Sequence, residues 1–276
     1  MKRSTTEKTL GHAILVIAAI IALYPFASIV TLAFTPKEDQ ATGFSIPTNP
    51  TLENFSRAWT DGGFSRALLS SLIVALGVVV LSVIVSVLAG YAISTMRFPG
   101  RKFLIAFLLI GLVMPYEGII VPLYYQLDGL GLLNTYWALI LPQVATSVSL
   151  GVFWMRAVFD GVPPGLKDAA TVDGAGRLRT LRSVYLPIST SGVQTLATLL
   201  FLFTWNEFLM PLVFVAQNPD VQTAPLALSF FAGSSRNFDA ATTAAAAVIV
   251  ALPILVFYVF LQRRFITGVA AGAVKE

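Results

Sequence analysis

The sequence predicts an all-α integral membrane protein with six transmembrane helices, and three observations predict it. Of its 276 residues, 56 % are hydrophobic and only 12 % charged, with a mean hydropathy of +0.79. Soluble chains carry roughly 25 % charged residues. Six apolar runs, at approximately 10–34, 68–92, 103–127, 136–158, 188–215 and 240–261, approach or exceed the ~20 residues that a helix needs to cross a bilayer. Finally, the basic residues gather in alternate loops, which sets an orientation.

The first run follows the basic leader MKRSTTEK and is longer than the ~7–15 apolar residues of a secretory signal, so it is expected to stay as the first span. Residues 35–66 form a polar loop in which TLENFSRAW makes a short helix. The second run is rich in Gly and Ser, small residues that let membrane helices approach closely. RFPGRK then makes a tight basic turn. In the third run Pro115, Glu117, Gly118 and Pro122 predict a kink or an unwound stretch. DGLGLLNT turns into the fourth run. The fifth contains Trp205, Asn206, Glu207 and Pro211, and a long polar loop with an apolar middle leads to the sixth.

Six spans put both termini on one side of the membrane. Fourteen of the eighteen Lys and Arg residues lie in the leader, the turn after the second run, the elbow region from Arg156 at the end of the fourth run onward, and the tail. Those segments, and with them both termini, are therefore expected to be cytoplasmic. The whole chain, 1–276, reads as a single transmembrane domain. Its net charge of +4 is spread along these loops and gives no sign of a nucleic-acid partner; the partner that charge and composition imply is membrane lipid.

The longest polar interval, 163–187, reads PPGLKDAATVDGAGRLRTLRSVYLP. Pro163 and Pro164 preset the first turn of a helix, and Asp168 lies near its positive end. Ala169, Ala170 and Thr171 continue it with small side chains. Gly174 can take the left-handed conformation that ends it. A second, basic helix carries Arg177, Arg179 and Arg182 until Pro187 stops it. The product is a helix–turn–helix elbow with a small, glycine-bearing tip between the fourth and fifth spans.

DAATVDGA followed by a basic helix and LP resembles the cytoplasmic coupling loop of ABC-importer permeases, with Asp168 in place of the usual Glu. RFPGRK, LGLLNTYWALILP, WNEFLMPL and QRRFITGVAAGAVKE extend the resemblance over nearly the whole chain. They are similar to carbohydrate-uptake permeases, in particular to the smaller permease of maltose-type systems. That resemblance implies a multi-pass protein of a bacterial or archaeal plasma (inner) membrane. It implies a heterodimer with a second permease, two ATPase subunits that hold the ATP and Mg, and an extracytoplasmic substrate-binding protein. It also implies that Asp168, Ala169, Ala170, Asp173, Gly174, Ala175, Leu186 and Pro187 form the ATPase-coupling site. The substrate class implied is a sugar, an oligosaccharide, or a related polyol or glycerol phosphate.

The chain contains no G-x-x-x-x-G-K-[ST] loop to cradle ATP phosphates, no HExxH, and no nucleophile with a base beside it. It has no cysteine and a single histidine, His12. It is expected to be no enzyme and to bind no cofactor or metal of its own. Glu117 and Glu207 are the acids placed within apolar runs, where a charge at mid-bilayer costs ~2.5–3.5 kcal/mol. Asn206, Glu207 and Glu117, with Trp205 stacking on a sugar face, either line a translocation path or serve helix packing. The tail, with Gly268, Gly272 and Lys275, is expected to touch the ATPase. The alternative is a secondary transporter or channel driven by an ion gradient. Such a protein shows paired broken helices in repeated halves, and no repeat is visible here.

Overall fold

The computed structural model describes residues 5–39, 44–234 and 239–273, whose regular secondary structure is helical. The helices are α1 (Thr5–Ala33), α2 (Glu53–Asp61), α3 (Phe64–Thr95), α4 (Arg101–Val113), α5 (Tyr116–Gly129), α6 (Tyr136–Asp160) and α7 (Pro164–Val172). They continue as α8 (Arg177–Thr180), a π-helical turn (Leu181–Tyr185), α9 (Leu186–Ile188), α10 (Thr190–Trp205), α11 (Leu209–Phe214), α12 (Ala224–Gly233) and α13 (Ala240–Ala273). Four helices are long and apolar enough to cross a membrane, and two bent pairs raise the number of candidate spans to as many as six.

The chain divides into two compact units, Met1–Ser65 with Ala227–Pro253, and Arg66–Leu226 with Ile254–Glu276. In the first unit the end of α1 is capped from a distance. The buried Asn54 of α2 donates from Nδ2 to the carbonyls of Ala33 (3.0 Å) and Thr35 (2.8 Å). A helix end leaves four carbonyls without intrahelical partners; the first bond satisfies one of these, and the second holds the chain just past the helix end. The rings of Phe34 and Phe55 meet beside them at 4.9 Å. Asp239 starts α13 by accepting the Ala241 amide (3.1 Å) and the Thr242 hydroxyl (2.9 Å). The apolar stretch of α1 is open on all sides in this chain, as suits a surface facing lipid or other subunits.

The second unit is built around α3. Val74 and Val78 of α3 pack with Ile120 and Leu127 of α5, Leu139 of α6 and Phe214 of α11. Further along, Val87 and Tyr91 pack with Met155 and Phe159 of α6, Leu196 of α10 and Tyr185. The expected role of small residues is visible where α3 meets α6. A Cβ on Gly90 would stand 2.8 Å from Met155 Cβ, and one on Gly151 would stand 2.1 Å from Ser86 Oγ. At the other end of α3, Ser70 is hydrogen-bonded to the Tyr136 hydroxyl (3.1 Å) and the Asp220 carbonyl (3.1 Å), and Arg66 pairs with Asp220.

Several expected bounds change. The third run, 103–127, is two helices: α4 and α5 meet at 99° across Met114–Pro115. Pro115 cannot donate a backbone bond and stands in extended conformation before α5. At 13 and 14 residues the halves are each roughly 20 Å long, so neither alone crosses ~30 Å of hydrocarbon. The fifth run, 188–215, is likewise not continuous. It bends by 79° at Ser189, and helix α10 stops at Trp205 before the short α11. Pro187 does not end the basic helix, which continues one residue further to Ile188. The apolar middle of the long loop is helix α12. The sixth helix does not stop near 261; α13 continues to Ala273.

Candidate functional site

The elbow forms as its residues dictate. Pro164 occupies the first helical position of α7, where the missing N–H would lack an intrahelical partner anyway. Nine residues later the helix closes in a Schellman turn. The Ala175 amide donates to Ala170 O (2.9 Å), the Gly174 amide donates to Thr171 O (3.1 Å), and Gly174 has φ +68°. A Cβ at Gly174 would meet nothing within 4 Å. The glycine is needed for the left-handed backbone rather than for room inside this chain.

Beyond the turn, Arg177–Ile188 forms one helical run with the π-turn at Leu181–Tyr185. The Tyr185 ring packs edge-to-face with Tyr91 (5.1 Å) and Phe159 (5.6 Å), and Tyr91 and Phe159 meet at 6.1 Å. The Tyr91 hydroxyl donates to Arg177 O (3.1 Å), and Lys167 Nζ donates to Thr95 O (2.9 Å). These contacts fix the inner face of the elbow.

Its outer face is open. Asp168, Ala169, Asp173, Gly174 and Pro187 are exposed, Ala175 and Leu186 half-buried, and Ala170 buried. Arg177, Arg179 and Arg182 are exposed on the following segment. Two residues that the sequence reading passed over stand out: Val172 is 87 % exposed and Leu178 is 71 % exposed. Apolar side chains presented at a polar tip, flanking the glycine turn, mark a contact surface. Their signal in the sequence was the presence of apolar residues in an otherwise polar interval.

The residues expected around a path are placed differently from one another. Trp205 is buried and stacked on Phe201 (5.5 Å, 27°), which in turn stacks on Phe257 at 3.9 Å. The indole face is covered within this chain and is not presented to a sugar. Asn206 is exposed, and Glu207, half-buried, accepts the Met210 amide (3.0 Å) at the start of α11. Glu117 is exposed in the first turn of α5, where the helix dipole favours an acid. Both carboxylates lie within electrostatic reach of Tyr116. Gly268 and Gly272 fall within α13, and Lys275 lies outside the described residues. A cavity of about 440 Å³, lined by Tyr124, Asp128, Asn134 and Gln217 among others, was not foreseen. Among the described residues no group of three or more His, Cys, Asp or Glu is placed to hold a metal ion.

The apolar helices, with an exposed, glycine-turned elbow between two of them, define the class of polytopic helical membrane proteins. The sequence profile described as "Binding-protein-dependent transport system inner membrane component" matches residues 82–270. The chain is 34 % identical to the trehalose transport system permease protein SugB of Mycobacterium tuberculosis, over 92 % of this chain and 93 % of that one. It is 32 % identical to the trehalose/maltose transport system permease protein MalG of Thermococcus litoralis, over 98 % and 99 % of the two chains. Its fold matches a chain of a bacterial ABC transporter involved in the import of alginate with a TM-score of 0.82, at 22 % identity, over 96 % and 99 % of the two chains.

The protein belongs to the binding-protein-dependent transport system inner membrane component family. It is a permease subunit of a prokaryotic ABC importer, of the carbohydrate-uptake kind, and spans the inner membrane several times. ATP hydrolysis belongs to partner ATPase subunits, and this chain supplies no cofactor.

Proposed function

We propose that this chain is half of the transmembrane pathway of an importer for a sugar or oligosaccharide. A second, different permease supplies the other half, two ATPase subunits supply the energy, and an extracytoplasmic binding protein delivers the substrate. Residues 1–276 act as one transmembrane domain of six spans, in which α4 with α5 is the third and α10 is the core of the fifth. Both termini and the 163–187 elbow face the cytoplasm.

The observation that carries this reading is the elbow. Its turn at Gly174 is locked by two backbone bonds, while Asp168, Val172, Asp173 and Leu178 stand open to a partner. A chain without phosphate-binding machinery needs such a surface to receive work from another subunit. Asp168, Ala169 and the Gly174 turn enter the ATPase, Ala170, Ala175 and Leu186 hold the shape from inside, and Pro187 precedes the bend into α10. Gly268 and Gly272 of α13, with Lys275 of the tail, supply a second contact. Asn206, Glu207 and Glu117 border the path; Trp205 supports it from the core.

The substrate class rests on the relatives, whose names specify trehalose, diacetylchitobiose and maltodextrin. The test is uptake into proteoliposomes containing the assembled complex, with trehalose and maltodextrins as substrates. Uptake is expected to require ATP on the elbow side and the binding protein on the other. Uptake driven by a sodium or proton gradient without ATP would instead establish a secondary transporter.

A further inference from the structure

The elbow is covalently continuous with α6 and α10, so a push on it reaches those helices directly. It has no chain connection to α3, which is distant in sequence yet forms the centre of the second unit. The structure nevertheless ties them together at the end of α3. Lys167 of α7 donates its ammonium to the carbonyl of Thr95, the last residue of α3, at 2.9 Å. A cation at a helix C-terminus satisfies a carbonyl that lacks an intrahelical partner and complements the helix dipole. One turn back, the Tyr91 hydroxyl donates to Arg177 O at 3.1 Å, across the glycine turn from Lys167. The two bonds therefore hold both arms of the elbow to the C-terminal end of α3.

The space between them is filled rigidly. Tyr91, Phe159 and Tyr185 come from α3, α6 and the π-turn, and every pair of these buried rings meets edge-to-face. Next to Tyr91, Gly90 lets the α3 backbone approach that of α6 so closely that a Cβ would stand 3.0 Å from the Arg156 amide. Ser94 Oγ adds a bond to Asp160 at 2.6 Å. A π-turn inside an α-helical run marks a functional site more often than chance; here it coincides with the ring that closes the triad.

We propose that Lys167 and Tyr91 are positioning residues for transport, forming a latch that makes α3 move with the elbow as one body. The inference rests on the elbow being the ATPase-coupled element. The ATPase pushes on the outer face, the latch and ring triad pass the displacement to α3, and α3 carries the packed α5 and α11 with it. Without the latch the elbow would still dock and the ATPase would still close. The displacement would then be spent on α6 and α10 alone, and hydrolysis would run with less substrate moved.

The test uses the complete importer in proteoliposomes and reads substrate moved per ATP hydrolysed, with pull-down of the ATPase subunit as a second readout. Lys167→Met with Tyr91→Phe removes both latch bonds and keeps the ring triad. The ATPase is expected to remain bound and active while the transport ratio falls by about fivefold or more, the factor that a loss of roughly 1 kcal/mol produces. Lys167→Arg, which keeps a cation for Thr95 O, is expected to retain most of the ratio. An unchanged ratio in the double variant overturns the latch. Loss of the ATPase from the complex also overturns it, by making these residues part of docking. Failure of docking thus shows in the pull-down and failure of the latch in the ratio.

A second measurement does not depend on the double variant folding. The chain has no cysteine, so Thr95→Cys with Lys167→Cys can be joined by a short bismaleimide in a complex whose other subunits are cysteine-free. Joining is expected to raise the transport ratio of this pair toward that of the unmodified complex. If α3 and the elbow must slide past each other, joining them will stop transport, and the proposal fails.

Discussion

Glu207 stands where a single residue decides between two roles. Its carboxylate accepts the Met210 amide and so starts α11, yet it remains half-exposed beside the fully exposed Asn206. Glu207→Gln keeps an acceptor oxygen for that amide and removes only the charge. If the charge borders the path as proposed, uptake is expected to fall several-fold with assembly and ATP hydrolysis intact; Glu207→Ala, which also loses the cap, is expected to weaken assembly as well. Uptake assays paired with size-exclusion profiles of the complex separate the two. The same short stretch shows what a sequence conceals. WNEF is compatible with a continuing helix, and its aromatic invited a sugar-stacking role. Trp205 is buried against Phe201, which stacks on Phe257, more than fifty residues away in sequence.

Among the elements, the contact of α3 with α6 organises the second unit, and glycines set its spacing. Gly90→Val would drive a branched side chain into Met155 and the α6 backbone. Overpacking of this kind costs ~1–3 kcal/mol, and here it also separates the helix end that bears Tyr91 from Phe159. The variant complex is expected to lose activity at a lower temperature than the unmodified one, which a thermal inactivation series in detergent will measure. Small residues in the second apolar run announced close packing, but not which glycine met which helix. The breaks followed the same division. Pro115 and Gly118 announced an interruption in the third run, while the 99° angle depends on α5 packing against α3, α6 and α11. In the elbow, Pro164 and Gly174 made both helix limits of α7 legible because each acts through local backbone geometry. The Lys167–Thr95 bond was not legible, since it joins segments separated by more than seventy residues.

For the whole molecule, the distribution of basic residues makes a prediction that needs no relative. Cysteines placed at the exposed positions Lys37 and Arg97 should label from opposite sides of the membrane. Lys37→Cys is expected to react with an impermeant maleimide in intact cells, and Arg97→Cys only after the membrane is opened. The reverse pattern would place the elbow outside, away from any ATPase.

If, as proposed, the glycine turn of the elbow joins this permease to its motor, Gly174→Pro should break that joint. Proline fixes φ near −65° and removes the backbone donor. It therefore cannot adopt φ +68° or make the bond to Thr171 O. The turn lies outside the apolar spans, so membrane insertion should be unaffected. The measurement is capture of the ATPase subunit by the variant permease, together with ATP-driven uptake in proteoliposomes. The ATPase is expected to be lost from the complex, or to hydrolyse ATP without moving substrate. Full ATPase capture with uptake at the unmodified rate would contradict the proposal.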